Sequence, residues 1–238
     1  MSLYRDHGIV LRTMRLGEAD RIVSFLTEHH GKVRAVAKGV RKTKSKFGSR
    51  LEPTSHVALQ LYEGRELDIV TQAETIDRLF AVRTDLDRLG RAAAMLEVAD
   101  HVALEREPDP GLYRLLLGAL RTLAADDSPL VVAGFFLKLL AHEGVGPVVD
   151  QCTGCGAEED LVSVEVMDGG ARCRACRRGQ AVSEGGFELL SQILGGQLGR
   201  ALRAPQSPET HEVEHVALRF VEHHVERRVK ALTLLDRG

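Results

Sequence analysis

The four cysteines are the residues whose type and spacing point most directly to chemistry. They form two C-x-x-C pairs within one window of 25 residues, with 17 residues between the pairs: Cys152, Cys155, Cys173 and Cys176. Two tight turns with this spacing can present four thiolates to one tetrahedral ion, and Gly154 and Gly156 give the first turn the backbone freedom it needs. Because four thiolates fill the coordination shell of zinc, the pattern predicts one structural zinc ion per chain.

The segment between the two pairs, AEEDLVSVEVMDGGAR, is typical of a small hairpin with its turn near Asp168-Gly169-Gly170. Residues 150–180 are therefore predicted to form a zinc ribbon. Other interpretations are two disulfides, a redox pair, or four unrelated buried thiols. A reducing cytosol argues against the disulfides, and the clustering of all the cysteines argues against coincidence. An iron–sulfur cluster uses the same ligands and stays open.

A run of basic residues between positions 32 and 50 is the second chemical signal. It contains eight lysines and arginines and no acidic residue, although the whole chain has 32 basic and 34 acidic residues. Such a run is either a solvated loop or a contact surface for the phosphates of nucleic acid. The candidate phosphate-binding residues are Lys32, Arg34, Lys38, Arg41, Lys42, Lys44, Lys46 and Arg50. Phe47 is the aromatic residue of this run that is placed to stack on a base.

The distribution of charge supports a basic surface near the start of the chain. Residues 1–76 contain 13 basic and 9 acidic residues, which leaves 19 basic and 25 acidic residues for the remainder. The low aromatic content and the absence of Trp argue against the long stacking platform of many sequence-reading RNA modules. We therefore expect contacts to phosphates to dominate any binding of nucleic acid.

Sequence signatures of common enzymes are missing. The chain has no G-x-x-x-x-G-K-[ST] phosphate loop, no G-x-G-x-x-G and no G-x-S-x-G. His211 and His215 are one helical turn apart but lack the H-E-x-x-H pattern of a catalytic zinc site, which favours surface or capping roles. We expect that the protein is not an enzyme.

No segment predicts a membrane protein. The longest uncharged apolar stretch runs from Pro129 to Leu137, about half of the roughly 20 residues that a spanning helix requires. The first residues show no targeting pattern. The expected location is the cytoplasm.

The first 75 residues predict five short strands. The runs GIVLRTMRL, RIVSFLTE, KVRAVAKGV, HVALQLYE and ELDIVTQAET are separated mostly by glycine-containing turns. In the fourth run, Val57, Leu59 and Leu61 alternate with more polar residues, as in a strand with one buried face. Five such strands in so short a segment predict a closed barrel of the OB type, with a domain over residues 1–78.

The period of the pattern changes to that of helices after residue 76. One helix is predicted over 84–104, with Thr84 or Asp85 as its N-cap. A second helix follows an N-cap at Asp109, and a third begins after Ser128. Two more helices are predicted over 183–195 and 208–229. The expected fold is a multi-domain α and β protein. Its N-terminal barrel is followed by a helical domain over residues 79–238, into which the zinc ribbon is inserted.

Two segments resemble a known family. These are GEADRIVSFLTEHHGKVRAVAKGVRKTKSKFGSRLEP, from Gly17 to Pro53, and LLAHEGVGPVVDQCTGC, which ends at Cys155. With the second C-x-x-C pair, they closely resemble the RecO family of bacterial DNA repair proteins, over nearly the whole chain. The resemblance implies an OB-fold domain and a helical domain with an inserted zinc motif. Some members lack the cysteines, whereas this sequence has all four.

The resemblance also implies a role as a DNA-binding recombination mediator. Proteins of this family bind single- and double-stranded DNA and anneal complementary strands. With RecR and single-stranded DNA-binding protein, whose acidic C-terminal tail they bind, they load RecA at gaps. We then expect a nucleoid-associated protein whose basic run contacts phosphates.

Two other classes of function stay open. A zinc-ribbon transcription or translation factor would use the basic run to contact RNA or duplex DNA, with a preference for a fixed base sequence. A metal-dependent nuclease would need carboxylates that converge on Mg²⁺, and the sequence shows no such set.

Overall fold

A computed structural model describes residues 2–43, 45–77 and 79–231. These residues form two compact units. One contains the chain up to position 125 together with residue 231, and the other is Asp126–Lys230. The domain boundary predicted at residue 78 stays a prediction, since the first unit contains helices as well as the barrel. Lys44, one of the predicted phosphate contacts, lies outside the described residues.

The first unit begins with five strands that close into a barrel. They are β1 (Leu3–Leu16), β2 (Asp20–Thr27), β3 (Gly31–Ala37), β4 (His56–Tyr62) and β5 (Asp68–Asp77). The order around the barrel is β1-β2-β3-β5-β4, and β4 pairs again with β1. The β3–β5 pair is parallel and the other pairs are antiparallel. The predicted five-stranded OB-type barrel is confirmed.

Alternation along the strands explains the interior of the barrel. In β3, Val33, Ala35 and Ala37 are buried inside, while the residues between them are only half-buried. The predicted alternation of β4 is also confirmed, because Val57, Leu59 and Leu61 are all buried. The side chains of Phe47 and Leu51, from the loop between β3 and β4, complete this core.

The helices of the first unit are α1 (Phe80–Thr84), α2 (Leu86–Val102) and α3 (Pro110–Ala125). Two predicted caps are confirmed. The Asp85 carboxylate accepts a hydrogen bond from the Arg88 amide at 2.9 Å, and the Asp109 carboxylate accepts one from the Leu112 amide at 2.9 Å. The α2 helix packs against β1 and β2.

A buried carboxylate joins the barrel to the segment after α2. Asp68, the first residue of β5, is fully buried and accepts hydrogen bonds from the Tyr4 hydroxyl, from the Gly64 amide at 3.0 Å and from Arg106 Nη2 at 2.7 Å. Burial and the Asp68 carboxylate raise the pKa of Tyr4, so its hydroxyl remains a donor. The Lys32 amide also donates to the Leu104 carbonyl at 3.1 Å.

The second unit contains helices and a small three-stranded sheet. Its elements are α4 (Val131–His142), β6 (Leu161–Glu165), β7 (Gly170–Cys173), β8 (Gln180–Ala181), α5 (Glu184–Leu194), α6 (Leu198–Ala201) and α7 (Pro208–His224). The α4 helix packs against α5 and α7, and most of its residues are buried. The last helix ends five residues earlier than predicted, because Glu226 takes the left-handed conformation with φ 52°.

Within the described residues, no helix combines the length and the apolar character that a membrane crossing requires.

Candidate metal centre and nucleic-acid interface

The two C-x-x-C turns bring four sulfur atoms together in the second unit. The Sγ atoms of Cys152, Cys155, Cys173 and Cys176 all lie within 4.8 Å of one another. The Sγ atoms of Cys155 and Cys173 are 3.7 Å apart. Bonds of about 2.3 Å to a tetrahedral zinc ion place sulfur atoms about 3.8 Å apart. The predicted cysteines can therefore hold one tetrahedral metal ion.

Local backbone geometry positions the first pair of cysteines. The Gly156 amide donates to the Cys152 carbonyl at 2.8 Å, and Gly156 has φ +79°, a conformation that favours glycine. Gly154 leaves room for an arginine, since a Cβ atom there would lie 1.9 Å from Arg172 Nη1. The spacing C-T-G-C-G thus allows both the turn and the approach of a cation to the cluster.

The β6–β7 hairpin positions the second pair. Its turn is closed by a hydrogen bond from the Gly169 amide to the Val166 carbonyl at 3.0 Å, next to the predicted turn at Asp168-Gly169-Gly170. Cys173 ends β7, and a 3-10 turn over Arg174–Cys176 carries the chain to the last ligand. The predicted hairpin between the pairs is confirmed.

The pKa values of Cys152 and Cys176 are shifted in opposite directions. Hydrogen bonds from the backbone amides of Cys173 and neighbouring residues lower the pKa of Cys152 to about 5. Hydrogen bonds with the adjacent sulfur atoms raise the pKa of Cys176 to about 12. The first thiolate therefore forms easily and the last does not, unless a metal cation stabilises the accumulated negative charge.

An ion pair lies beside the cluster. Arg172 donates to the Asp168 carboxylate, which also accepts from Arg178 at 2.8 Å. These contacts lower the pKa of Asp168 and raise that of Arg172. The guanidinium is therefore charged, and Asp168 orients it toward the thiolates. Sequence reasoning missed this pair, although Arg172 directly precedes Cys173 in the sequence RCRAC.

Two of the predicted phosphate contacts are already engaged within the first unit. Lys32 Nζ donates to the Asp100 carbonyl at 2.6 Å and lies 3.8 Å from the Asp100 carboxylate. Arg34 Nη1 lies 3.5 Å from a carboxylate oxygen of Glu105. Because these acidic residues lie far along the chain, the basic run gave no sign of them. Lys32 and Arg34 are thus separated from the rest of the predicted set.

The remaining described residues of the set lie on the loop between β3 and β4. Lys38, Arg41, Lys42 and Lys46 are exposed, and Arg50 is partly exposed. Within the described part of the chain, the side chains of Lys38 and Lys42 have no ion-pair or hydrogen-bond partner. Arg41 Nη1 donates to the carbonyls of Gly17 and Glu18, which holds the loop beside the β1–β2 turn. The structure therefore places a group of exposed cations on one loop of the barrel.

The expectation that Phe47 stacks on a base is wrong for this structure. Its side chain is only 1% exposed and packs in the barrel core. The loop folds back over the end of the barrel, and the following 3-10 turn over Gly48–Leu51 buries Leu51 beside it. Lys46 Nζ lies 4.9 Å from the centre of the Phe47 ring and donates to the Thr71 carbonyl at 2.9 Å. Phe47 therefore anchors the basic loop and leaves no aromatic face for a nucleotide.

The chain is thus an OB-barrel protein that also contains helices and a four-cysteine centre. The family model described as recombination protein O N terminal matches residues 1–79, and the one described as recombination protein O C terminal matches residues 83–233. The chain is also similar to the DNA repair protein RecO of Frankia casuarinae (strain DSM 45818 / CECT 9043 / HFP020203 / CcI3), with 46% identity over 244 residues and full coverage of both chains. The chain belongs to the RecO family of DNA repair proteins, as the resemblance indicated.

Proposed function

We propose that this protein is a DNA-binding recombination mediator. It anneals complementary single strands and, together with RecR, helps to load RecA at gaps coated with single-stranded DNA-binding protein. The observation that carries the proposal is the group of exposed cations on the β3–β4 loop of an OB barrel, in a member of a DNA repair family. The protein acts in the cytoplasm, in association with the nucleoid.

The basic loop is suited to phosphates and not to the reading of bases. Lys38 and Lys42 are flexible point charges in solvent, and a phosphate contact requires no fixed geometry from them. Binding should therefore extend to single- and double-stranded DNA of any sequence. Lys32 and Arg34 contribute less to this surface, because Asp100 and Glu105 offset their charges.

We propose one zinc ion in the four-cysteine centre, with a structural role. Zinc prefers a tetrahedral set of thiolates at the observed spacing. Four protein ligands leave no coordination position for water or substrate, so the ion would stabilise the hairpin and would not activate a nucleophile. In this proposal the protein acts by binding and breaks no bond.

Strand annealing tests the proposed function directly. We expect the protein to accelerate pairing of complementary oligonucleotides of arbitrary sequence, including strands covered by single-stranded DNA-binding protein. The measurement is the rate of duplex formation with two labelled strands. Annealing no faster than without protein would contradict the proposal. Tight binding to one fixed sequence would favour a transcription or translation factor, and cleavage of labelled DNA with Mg²⁺ would indicate a nuclease.

A further expected partner is the acidic C-terminal tail of single-stranded DNA-binding protein, together with RecR. The second unit contains a groove of about 650 Å³ with apolar walls that include Leu140, Val145 and Phe220. Its rim combines two histidines with two glutamates, and this lining does not provide the basic rim that an acidic peptide would favour. We therefore propose the partner without assigning the tail to this groove.

Calorimetry with a tail peptide tests this partnership. We expect saturable heat at tens of micromolar peptide or below, which corresponds to roughly 6–7 kcal/mol of binding free energy. A peptide of the same composition in scrambled order is the control. Equal heats for the two peptides, or no heat for either, would count against a specific tail site.

A further inference from the structure

The four-cysteine centre carries more negative charge than its ion balances. One divalent ion bound by four thiolates leaves two negative charges in excess. Cys152 and Cys173 are buried, at 2% and 5% exposure, so water does not stabilise this excess on their side of the cluster. A buried charge without a partner is costly. The centre therefore needs hydrogen-bond donors or cations that face its sulfur atoms.

Backbone amides supply part of this compensation. The Gly154 amide donates to Cys152 Sγ at 3.4 Å, and the amides of Cys155 and Cys173 donate to the same sulfur. Such dipoles favour the thiolate form, but they leave the net charge of the site as it is. A full positive charge beside the cluster has to come from a side chain.

Two arginines share one carboxylate beside the cluster. Asp168 accepts a hydrogen bond from Arg172 and another from Arg178 at 2.8 Å. Because one carboxylate balances only one guanidinium, this group of three has a surplus positive charge. The side chain of Arg178 is 62% exposed, whereas that of Arg172 is only 11% exposed. Arg172 is thus the cation removed from water, and a second negative partner stabilises it most.

The guanidinium of Arg172 faces the sulfur atoms. It is in hydrogen-bonding and electrostatic contact with the Cys152 thiolate. A Cβ atom on Gly154 would lie 1.9 Å from Arg172 Nη1 and 3.4 Å from Cys176 Sγ, so the same guanidinium also borders the last ligand. The glycine at position 154 lets the charged group come this close, and the bond to Asp168 holds the side chain in this direction.

We propose that Arg172 is a positioning residue of the four-cysteine centre and retains the metal by compensating the charge of the Cys152 and Cys176 thiolates. This inference rests on the proposed zinc ion and adds the residue that controls its retention. Groups that contact the ligands of a metal typically change its affinity by about 10–100-fold. In this arrangement Asp168 acts through Arg172, and the exposed Arg178 has little influence on the metal.

Cobalt(II) in place of zinc gives a direct readout, because it accepts the same tetrahedral thiolates and absorbs visible light. Arg172→Gln removes the positive charge and keeps a hydrogen-bond donor. A thiolate without its cation gives up electrons more readily, so the sulfur-to-cobalt charge-transfer band should move to longer wavelength. Competition with a chelator should show about tenfold weaker zinc binding. The control Arg178→Gln removes the same charge from the same carboxylate, and should leave the band in place and the affinity within about twofold.

Gly154→Ala tests the same contact without altering the arginine. The new Cβ would take the place of Arg172 Nη1, which lies at the free end of a flexible side chain and can move away, while the amide of residue 154 is kept. We expect a band shift in the same direction and a similar loss of zinc affinity. Because both changes break one contact, the double variant should lose no more affinity than Arg172→Gln alone.

The outcomes separate this inference from the proposed metal. If the unchanged protein binds neither zinc nor cobalt at the four cysteines, both fail. If it binds zinc and Arg172→Gln keeps its band and its affinity, or Arg178→Gln shifts the band equally, the inference fails and the structural zinc stands. Weaker zinc binding without a band shift would show that Arg172 only supports the fold of the hairpin, which also overturns the inference. If Arg172→Gln does not fold, the band of Gly154→Ala decides by the same criterion.

Discussion

Replacing Cys152 or Cys173 by serine is expected to remove most of the zinc and to unfold the hairpin between the two cysteine pairs. A serine hydroxyl stays protonated near neutral pH and cannot replace a thiolate ligand. Metal binding and local folding share one free energy, which reaches about 10–16 kcal/mol for structural zinc in small peptides at neutral pH. Elemental analysis of the purified variants measures the metal, and thermal unfolding measures the stability.

Val164→Ala is the matched control for the cysteine variants. Val164 is buried in β6 of the same hairpin but carries no ligand atom. Its truncation should lower the unfolding temperature and leave one zinc per chain. Full retention of zinc by both cysteine variants would contradict the metal assignment, and iron with visible absorbance would point to a cluster. If the ion is structural, each cysteine variant should lose less free energy of DNA binding than free energy of unfolding.

The triple change Lys38→Gln, Lys42→Gln and Lys46→Gln should sharply reduce the salt dependence of DNA binding. Each phosphate contact on single strands contributes about −0.7 to the slope of the logarithm of the binding constant against the logarithm of salt. About four contacts give the unchanged protein a slope near −3, and loss of three contacts lowers its magnitude by about 2. Fluorescence anisotropy over a range of salt concentrations measures the slope.

The control for this variant removes the same charge from elsewhere. Arg114, Arg203 and Arg219 are exposed on other parts of the chain, and their change to Gln should leave the slope nearly as it was. The unfolding free energy of either variant should change by no more than about 0.5 kcal/mol per substitution, since the side chains are exposed. If the lysine variant keeps both its affinity and its slope, the loop is merely solvated and DNA binds elsewhere.

Local patterns predicted those features that depend on neighbouring residues. Alternation located β4, because a strand with one buried face repeats every two residues. The caps at Asp85 and Asp109 followed from side chains next to apolar helical repeats. The cysteine centre was equally predictable from the sequence, since each C-x-x-C pair needs only one turn to bring its sulfur atoms together.

Features that depend on distant contacts were not predictable. Phe47 lies among lysines in the sequence, and its burial results from the fold of a long loop over the barrel end. The engagement of Lys32 requires Asp100, which comes from a helix that begins after the barrel is complete. The alignment of Met14, Ile22 and Val36 side by side on β1, β2 and β3 needs the register of three strands, and no single strand reveals it.

The buried carboxylate of Asp68 restricts how this barrel can be transferred between proteins or studied as a fragment. A truncation at residue 78 would keep Asp68 and Tyr4 but remove Arg106, and a buried carboxylate that loses a charged donor costs roughly 1–3 kcal/mol. The Lys32 amide would also lose the Leu104 carbonyl. A recombination event that exchanged only the strands would thus deliver a weakened barrel. The smallest piece that preserves these bonds extends through α2 to Arg106, so the unit that must stay together is larger than the OB fold itself.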